Sequence, residues 1–368
     1  MIEGAGRFRR MSSRSQSNTA KHGLLRQGRP LWLGFVALSD CAPIVIAEKL
    51  GLFAAYGLRV ELRREVGWAT IRDKVITGEL DAAHAPVGTV IATTLGLGCV
   101  ATRCVTALVL NLHGNAVTLS ERLWREGVRD GETLRALIAR TSELLTFGVA
   151  FQFSSHNFLL REWLRTSEID PDRDVRLVVV PPPQMFPNLE AGHLDGYCVG
   201  EPWNSLAVLS RKGWCVAASP EIARNHPEKV LMVREDFAEE RAQEHVALVA
   251  ALLEACRFCD QPENRERVIE TLALPEYVNA PIHALRMSMC GSFDFGHGRV
   301  EKYPDFNVFS RDNANEPSQA KFDWVVQQMN ASGMLQDSAI VPENAATTLF
   351  RPDLYERAVQ LMEHSSPL

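Results

Sequence analysis

The chain has 368 residues, of which 46% are hydrophobic and 23% are charged, and its formal net charge is -6. This length and composition are typical of a globular protein with two medium lobes or one large domain, and they exclude collagen, coiled coils and a wholly disordered chain. The acidic balance argues against direct binding of nucleic acid, because such binding requires basic residues that displace counterions from phosphates.

The first 29 residues differ in composition from the rest of the chain. They carry seven basic residues against one acid, Glu3, and the segment that follows Arg9 and Arg10 is polar throughout. Because export signals require an apolar stretch after the charged segment, we predict a disordered basic tail over 1–29, with Met11 as an alternative start. No later window offers the roughly 18 apolar residues of a membrane span, so we expect a cytoplasmic protein that contacts no membrane.

Eight cysteines are compatible with a reducing compartment, since they lie in apolar runs where a thiol acts as a small hydrophobic group. Cys256 and Cys259 have the spacing of a redox motif, but the surrounding sequence LVAALLEACRFC is that of an apolar helix. We interpret them as a buried structural pair, with redox or metal chemistry as the alternative. No second pair completes a zinc site, and we predict neither a metal nor another cofactor.

From residue 31 onward, short β-rich runs alternate with amphipathic helices. The first set contains predicted strands at LWLGFVA (31–37), LRVELRRE, DAAHAPVG and CVTALVL (104–110), with helices over APIVIAEKLGLFAAYG and 69–77. The second set contains predicted strands at TFGVAF (146–151), VRLVVV (175–180), DGYCVG and WCVAAS, with helices over 155–165 and 184–191. Strands separated by helices of about ten residues predict parallel sheets built from crossover units.

A short pattern recurs in both sets. GELDA at 78–82 and GHLDG at 192–196 each lie between a helix and an apolar strand. In each copy the glycine fits a helix C-cap and the acid fits the entry to a strand. Two similar sets indicate two lobes rather than one continuous sheet, although Gly-x-x-Asp is common enough for a coincidence.

Beyond residue 225 the pattern becomes mainly helical, with irregular segments between helices predicted over 235–259, 262–274, 280–290, 318–333 and 353–364. We predict an α/β fold with two hinged lobes, in which the helix-rich C-terminal region packs on the first lobe. Lobe 1 would comprise 30–113 and 225–368, and lobe 2 would comprise 114–224. The hinge crossings are expected near 111–118 and 219–229.

Several segments resemble a known family of binding proteins. They are GFVALSDCAPIVIAEKLGLFAAYGLRVEL, GWATIRDKVITGELDAAHA, NLHGNAVTLS, LEAGHLDGYCVGEPWN and NHPEKVLMVRED, and the resemblance covers about residues 30–365. The family comprises the nitrate- and bicarbonate-binding proteins of cyanobacterial-type ABC transporters (NrtA- and CmpA-like), together with the NasS-type nitrate/nitrite sensor. The resemblance implies a periplasmic-binding-protein-like fold of type II, in which two lobes close around a small oxyanion.

The resemblance also implies four ligand-binding residues. The family's ligand-contacting tryptophan, histidine and lysine correspond to Trp68, His156 and Lys229. The amide-bearing residue corresponds to Asn115, where transport members typically have glutamine, so the arm is shorter by one methylene group. The resemblance further implies that bicarbonate-binding members carry an acid at the position of Lys229 and recruit a metal ion. A lysine therefore favours direct binding of nitrate or nitrite, and Lys229→Glu is expected to abolish binding while the fold stays intact.

The residues themselves are compatible with these roles, and each also has an alternative. Trp68 could donate its indole N–H to a ligand or cover a helix end in the core. His156 could donate from a helix N-terminus, or it could cap the helix or lie on the surface. Lys229 could supply the positive charge or be a solvated surface lysine. Asn115, beside a glycine, could bind the anion or serve as a turn residue.

Other polar residues receive smaller roles. Asp40 fits a helix N-cap at a lobe edge, and Glu201 is expected to orient the hinge backbone rather than contact an anion. The remaining histidines considered lack the spacing of metal ligands: His84, His113, His193 and His226. No Gly-rich phosphate loop, nucleophile elbow or H-E-x-x-H motif is present in the sequence.

We predict a cytoplasmic nitrate or nitrite sensor rather than an enzyme. A binding protein without an export signal cannot supply an outward-facing permease, so another cytoplasmic molecule must read its conformation. The resemblance implies that this partner is a NasT-type RNA-binding antiterminator with an ANTAR domain, held in the ligand-free state and released when the anion binds, which would control nitrate assimilation genes. One alternative is the substrate-binding component of a nitrate ABC transporter. The other is an enzyme on the same fold, like relatives that make a thiamin pyrimidine, with Cys198 near a histidine.

Overall fold

The computed structural model describes residues 29–141, 143–335 and 344–364. The strands in these ranges are β1 (Leu31–Val36), β2 (Val60–Glu65), β3 (Ala82–Pro86), β4 (Cys104–His113), β5 (Asn115–Ser120), β6 (Thr146–Val149), β7 (Arg176–Val179), β8 (Gly196–Gly200), β9 (Gly213–Ala218), β10 (Pro227–Arg234), β11 (Ser292–Gly296), β12 (Arg299–Lys302) and β13 (Asn307–Val308). The predicted basic tail, apart from its last residue, lies outside the described residues.

The helices begin with α1 (Ala42–Lys49), α2 (Leu52–Ala55), α3 (Trp68–Thr77), α4 (Gly88–Thr94), α5 (Glu121–Arg125), α6 (Gly131–Arg140), α7 (Ser155–Thr166), α8 (Pro182–Glu190), α9 (Trp203–Leu209) and α10 (Ser219–Ile222). They continue with α11 (Glu235–Glu240), α12 (Ala242–Asp260), α13 (Arg265–Leu272), α14 (Ile282–Met289), α15 (Gln319–Ala331), α16 (Ala345–Leu349) and α17 (Pro352–His364). Short 3-10 helices at Ser39–Cys41 and Pro262–Asn264 precede α1 and α13.

The strands of the described ranges form two sheets and one separate hairpin. In the six-stranded sheet, ordered β13-β4-β10-β3-β1-β2, β1 pairs parallel with β2 and β3, whereas β10 runs antiparallel between β3 and β4. In the five-stranded sheet, ordered β7-β6-β8-β5-β9, β6 pairs parallel with β7 and β8, and β5 runs antiparallel between β8 and β9. The parallel strands are joined through helices, as crossover connections require. The predicted two-lobed α/β fold is confirmed.

The chain passes between the two sheets at two places that lie side by side. The first crossing is at Gly114, between the end of β4 at His113 and the start of β5 at Asn115. The second crossing joins α10 to β10 through 223–226. The backbone N–H of Asn225 donates to His113 Nε2 at 2.8 Å, so a hydrogen bond connects the two crossings. Both fall within the segments where hinges were expected, and the bounds of the two lobes stay a prediction.

Helix α12 connects the C-terminal region to the six-stranded sheet. It packs against α1, α2 and α17 and against β4, with apolar residues around most of its circumference. Cys256 and Cys259 are both buried, and burial raises the pKa of both thiols, which keeps them protonated and poorly nucleophilic. Their interpretation as a structural pair is supported. Helices α12 and α17 pack on the six-stranded sheet as predicted, whereas α14 and β11 also contact α9, which belongs to the five-stranded side.

Two strands that position the candidate site were not predicted from the sequence. β5 lies within NLHGNAVTLS, and β10 lies in the region that was expected to be mainly helical. Both are almost wholly buried, so their short apolar runs lack the alternation by which a half-exposed strand is recognised. β11 and β12 form a hairpin inside a segment that was expected to be irregular. Within the described ranges, every helix is too short or too polar to span a membrane.

Candidate ligand-binding site

The candidate site lies beyond the carboxyl ends of parallel strands, where ligands bind in open α/β sheets. Asp40 follows β1, and Trp68 is the first residue of α3, which follows β2. In the other sheet, Ser155 and His156 are the first residues of α7, which follows β6. The first turn of a helix has unpaired N–H groups and the positive end of the helix dipole. These positions therefore favour a negatively charged group.

Two antiparallel strands begin at the same edge. Lys229 pairs with Pro86 at the end of β3, so Glu228 and Lys229, near the start of β10, lie where β3 ends. Asn115, the first residue of β5, pairs with Gly200 at the end of β8. The two crossings thus bring an amide, a carboxylate and an ammonium group to the edge where α3 and α7 begin.

Lys229 is fully buried between two carboxylates. Its Nζ lies 2.7 Å from Asp40 Oδ2, forms a second ion pair with Glu228, and lies 5.3 Å from the centroid of the Trp68 ring. Burial alone would lower the pKa of Lys229, but Asp40 and Glu228 outweigh it and raise that pKa. Burial alone would raise the pKa of Asp40, but Lys229 and His84 hold it well below its ordinary value. Lys229 and Asp40 are therefore both ionised at neutral pH.

Glu228 connects the two sheets. Its Oε2 accepts hydrogen bonds from Asn115 Nδ2 at 2.6 Å and from Ser155 Oγ. Its Oε1 accepts a hydrogen bond from Lys229 Nζ and lies 3.4 Å from His156 Nε2. Because Glu228 comes from the six-stranded sheet and the amide and hydroxyl donors come from the five-stranded side, one buried carboxylate forms hydrogen bonds with groups on both sides.

The histidines beside these charged groups are neutral near pH 7. His84 Nε2 lies 3.0 Å from Asp40 Oδ1, and its ring centroid lies 5.3 Å from that of Trp68. Burial lowers the pKa of His84, and it lowers the pKa of His156 to about 4. One ammonium against two carboxylates therefore leaves one negative charge in excess. We call this group of side chains the Lys229 cluster: Asp40, Trp68, His84, Asn115, Ser155, His156, Glu228 and Lys229.

Several buried polar atoms of the Lys229 cluster have no hydrogen-bond partner among the described residues. They include Nε1 of Trp68, Nδ1 of His156 and Oδ1 of Asn115. Burying an unpaired N–H group costs free energy, which a ligand that accepts a hydrogen bond from it would restore. Gly200 lies beside them, and a β-carbon there would be in ordinary contact with Asn115 Oδ1 at 3.4 Å and with Asp40 Oδ2 at 3.5 Å. The unpaired N–H donors suit a ligand rich in acceptor oxygens.

The four residues predicted to bind the ligand all belong to the Lys229 cluster. Trp68, Asn115, His156 and Lys229 are each at most 1% exposed. The alternatives of a solvated Lys229 and a surface His156 are therefore wrong. The structure brings the four side chains together, and their role in binding a ligand stays a prediction.

Some members of the cluster were missed from the sequence. Glu228 precedes Lys229 in HPEK, and Ser155 precedes His156, so both adjoin predicted ligand residues without having been singled out. Asp40 was expected to be a helix N-cap, but it lies inside the 3-10 helix Ser39–Cys41, and its carboxylate is engaged by Lys229 instead. The sequence signal for Glu228 and Ser155 was that each adjoins a predicted ligand residue. Adjacency alone does not reveal that the neighbouring side chain is buried.

Glu201 contacts backbone groups, but these lie in α9 and beside Asp40 rather than in the hinge segments that it was expected to orient. Its Oε2 accepts from the Ser205 N–H at 3.1 Å, and its backbone oxygen accepts from the Ser39 N–H at 2.7 Å, across the two sheets.

Cys198, the nucleophile of the enzyme alternative, is buried, and burial raises the pKa of its thiol well above the ordinary value, which disfavours the reactive thiolate. In the part of the chain that the structure describes, no cluster of three or more His, Cys, Asp or Glu has an arrangement suited to a metal ion. Two surface clefts of about 600 and 430 Å³ are lined by residues outside the Lys229 cluster.

Known proteins share this architecture. The model of the NMT1-like family matches residues 27–273. The nitrate import ATP-binding protein NrtC of Synechocystis sp. is 40% identical over 333 residues, which are 89% of this chain and 49% of that protein, so the chain spans about half of that relative. The nitrate/nitrite binding protein NrtA of Synechococcus elongatus is 32% identical over 309 residues, which are 80% of this chain and 70% of that protein.

A solved structure agrees over nearly the whole chain. The crystal structure of the periplasmic nitrate-binding protein NrtA from Synechocystis PCC 6803 matches with a TM-score of 0.86 and 28% identity, covering 91% of this chain and 89% of that one. The fold is that of the two-lobed proteins of the periplasmic-binding-protein type. The chain belongs to the NMT1-like family, among the NrtA- and CmpA-like nitrate and bicarbonate substrate-binding proteins of ABC transporters. Its prediction as a binding protein rather than an enzyme agrees with this membership.

Proposed function

We propose that this protein is a cytoplasmic sensor that binds nitrate or nitrite at the Lys229 cluster and thereby controls an RNA-binding antiterminator of the NasT type. The observation that carries the proposal is the meeting of Lys229, Trp68, His156 and Asn115 in one buried place between the two sheets. The first two come from the six-stranded side and the other two from the five-stranded side. A ligand held by all four would therefore hold the two lobes together.

The chemistry of these groups suits a small, flat monoanion. Nitrate and nitrite offer only acceptor oxygens, and the indole N–H of Trp68 and the ring of His156 carry N–H capacity that has no partner among the described residues. Lys229 supplies the one full positive charge of the cluster. The site is shielded from water, so each hydrogen bond to the anion is stronger than it would be at an exposed position.

Two observations support a cytoplasmic location. The chain resembles one half of a relative named as an ATP-binding protein, and its 368 residues contain no Gly-Lys pair and hence no P-loop. The shared half is therefore not the nucleotide-binding half. In such a relative this fold would be joined to a nucleotide-binding half, which works inside the cell because ATP is present there. The eight cysteines, all free, are compatible with a reducing compartment.

A sensor of this kind works by linkage. The anion shifts the balance between two lobe arrangements only by its difference in affinity for them, and a tenfold difference supplies about 1.4 kcal/mol. The partner must contact a surface that exists in one arrangement and not in the other. The antiterminator would bind the ligand-free arrangement and leave when the anion stabilises the other.

Calorimetric titration tests the ligand. Nitrate, nitrite, bicarbonate and methanesulfonate are titrated into the purified protein at constant ionic strength, with chloride as the control anion. We expect saturable binding of nitrate or nitrite, and weaker or no binding of the other two. Binding of bicarbonate alone would contradict the ligand assignment, because the proposal depends on an anion without a proton of its own.

A pull-down tests the partner. The immobilised protein is mixed with a NasT-type antiterminator, with and without nitrate or nitrite. The expected result is capture in the absence of the anion and release in its presence, with no release by chloride. Capture that is indifferent to both anions would remove the sensor from the proposal and leave the binding function.

The second candidate function is the binding component of a nitrate transporter. It is favoured by the 32% identity to a protein named as a nitrate/nitrite binding protein. Both functions predict anion binding, so the titration does not separate them. Fractionation of cells that express the natural gene does, because a component that delivers the anion to the outer face of a permease would be found outside the cytoplasm and would not bind the antiterminator.

A further inference from the structure

Glu228 has the surroundings expected of a bound anion. Its carboxylate is wholly buried and accepts hydrogen bonds from Asn115 Nδ2 at 2.6 Å and from Ser155 Oγ. Lys229 Nζ donates to the other oxygen, and His156 Nε2 lies 3.4 Å from it. An amide N–H, a hydroxyl in the first turn of a helix and an ammonium group are donors that an oxyanion binds.

The donors around Glu228 overlap with the residues assigned to the ligand. Three of the four residues that we assign to nitrate or nitrite, namely Asn115, His156 and Lys229, also face Glu228. The fourth, Trp68, keeps its indole N–H unpaired among the described residues. An incoming anion would therefore meet two of its four donors, the amide of Asn115 and the ammonium of Lys229, already engaged by a carboxylate, while His156 lies close to that carboxylate without a hydrogen bond to it.

The net charge of the Lys229 cluster also favours competition between Glu228 and an incoming anion. One ammonium faces two carboxylates, and the neighbouring histidines are neutral near pH 7. A monoanion added to this arrangement would lie in a buried site beside two negative charges, and like charges at such distances repel strongly where water is excluded. Exchange of one anionic group for another avoids this repulsion, whereas simple addition does not.

We infer that Glu228 is an internal counter-ligand, which occupies the donors of the site in the empty protein, bridges the two lobes and lowers the affinity for the external anion by competing with it. The inference deepens the proposed function and rests on it for the nature of the anion, a nitrate-sized oxyanion. When that anion binds, the Glu228 side chain gives up Asn115 and Ser155. Glu228 thus sets the concentration at which the site fills.

Asp40 provides a matched control. Its carboxylate also contacts Lys229, at 2.7 Å, and its other oxygen lies 3.0 Å from His84 Nε2, but these partners both come from the six-stranded side. Asp40→Asn therefore removes the same charge as Glu228→Gln without removing a charged bridge between the lobes. A difference between the two variants isolates the bridging and competing role from the general effect of charge.

The experiment compares wild type, Glu228→Gln and Asp40→Asn. Circular dichroism establishes folding, calorimetry measures the affinity for nitrate and nitrite, and small-angle X-ray scattering measures the radius of gyration without anion. Glu228→Gln is expected to bind at least about tenfold more tightly than wild type. It is also expected to have a larger radius of gyration, because a neutral amide holds the opposite donors less strongly than a carboxylate does. Asp40→Asn should keep the radius of wild type.

Each outcome decides the inference. Equal or weaker anion binding by a folded Glu228→Gln variant overturns it, since Glu228 would then assist binding. If neither wild type nor the variants bind nitrate or nitrite, the proposed function fails and scattering alone decides: a larger radius in Glu228→Gln only supports bridging by Glu228, and three equal radii overturn it. If Glu228→Gln does not fold, Ser155→Ala takes its place in the scattering arm, with a larger radius supporting the inference and an unchanged one overturning it.

Discussion

Replacement of Lys229 by methionine is expected to destabilise the protein by about 3–5 kcal/mol, because both facing carboxylates stay buried without a counter-charge. Lys229 is wholly buried, and its Nζ lies 2.7 Å from Asp40 Oδ2 and contacts Glu228. Methionine retains most of the apolar length of lysine, so the packing against Trp68 changes little. The loss therefore measures charge compensation rather than the creation of a cavity.

The structure also changes the expectation for Lys229→Glu. From the sequence alone we expect that variant to lose the anion and keep its fold. With Lys229 buried between Asp40 and Glu228, the substitution would place three carboxylates together away from water. Burial of like charges is strongly unfavourable, so the fold would be lost or the groups would become protonated. Methionine is the cleaner test for this reason.

The loss in the methionine variant should depend on pH. The pKa of Asp40 is held well below its ordinary value by Lys229 and His84 against the effect of burial. A carboxyl group with a depressed pKa contributes stability above its unfolded pKa of about 3.9 and loses it as the pH falls through the folded value. Without Lys229 the effect of burial raises the pKa of Asp40 above its unfolded value, so the folded variant takes up a proton as the pH falls from 7 to 4.5 and regains stability, whereas the contribution of Asp40 in wild type is unchanged over that range. The difference in unfolding free energy between wild type and variant should therefore be larger at pH 7 than at pH 4.5.

Urea denaturation followed by circular dichroism measures these free energies. The control is the triple variant Asp40→Asn, Glu228→Gln, Lys229→Met, in which the cluster carries neither carboxylate nor ammonium. It should recover most of the stability that the single Lys229→Met variant loses. A loss of less than about 1 kcal/mol in the single variant, or a triple variant no more stable than the single one, would show that Lys229 does not stabilise the fold by charge compensation.

Three further predictions concern other positions. Burial lowers the pKa of His245 to about 4, so between the unfolded pKa of about 6.5 and that value the unfolded chain binds a proton that the folded protein does not. His245→Leu should therefore reduce the loss of stability between pH 8 and pH 5 by about 2 kcal/mol in denaturant titrations. Gly114 has φ 98°, and a β-carbon there would collide with Asn307 Oδ1, so Gly114→Ala should cost about 1–3 kcal/mol in the same titrations. Gly200→Ala should cost less, because its β-carbon would meet only ordinary contacts. Trp68→Phe should weaken nitrate binding about tenfold in calorimetry, whereas Trp214→Phe, also a buried indole without a hydrogen-bond partner in the described ranges, should leave it unchanged.

The fold was predictable where helices and strands alternate along the chain. The run from β1 to β3 has turn residues at its boundaries, such as Gly78 after α3, which adopts the positive φ that a helix C-cap requires. β10 was not predictable in the same way. It pairs on both sides, with β3 and β4. Its apolar residues fit a buried helix as well as they fit a buried strand. Because β3 and β4 are so far from β10 in the sequence, the residues around β10 carry no local pattern that indicates this pairing.

The candidate site was only partly predictable. Trp68, His156 and Lys229 could be placed because they stand in segments that resemble a family, and the structure brings them together. Glu228 could not be placed, because successive residues of a regular strand point to opposite faces, which would put either Glu228 or Lys229 outside the site. The pairing of β10 with β4 shifts register on both sides of Lys229, and both side chains face the same cluster. A register shift of this kind has no signature in the sequence.

Glu228 has opposite effects on the affinity for the anion and on the signal that a partner can detect. An anion that only added its contacts to a preformed site would bind more tightly but would change little else, because the empty and occupied proteins would be held by the same groups. An anion that displaces Glu228 from Asn115 and Ser155 exchanges one set of contacts across the lobes for another, and the difference between the sets is what a partner can read. Part of the affinity is lost to this exchange, so a sensor benefits from Glu228 where a scavenging transport protein would not. The affinity and the coupling to a partner should therefore change in opposite directions when Glu228 is neutralised.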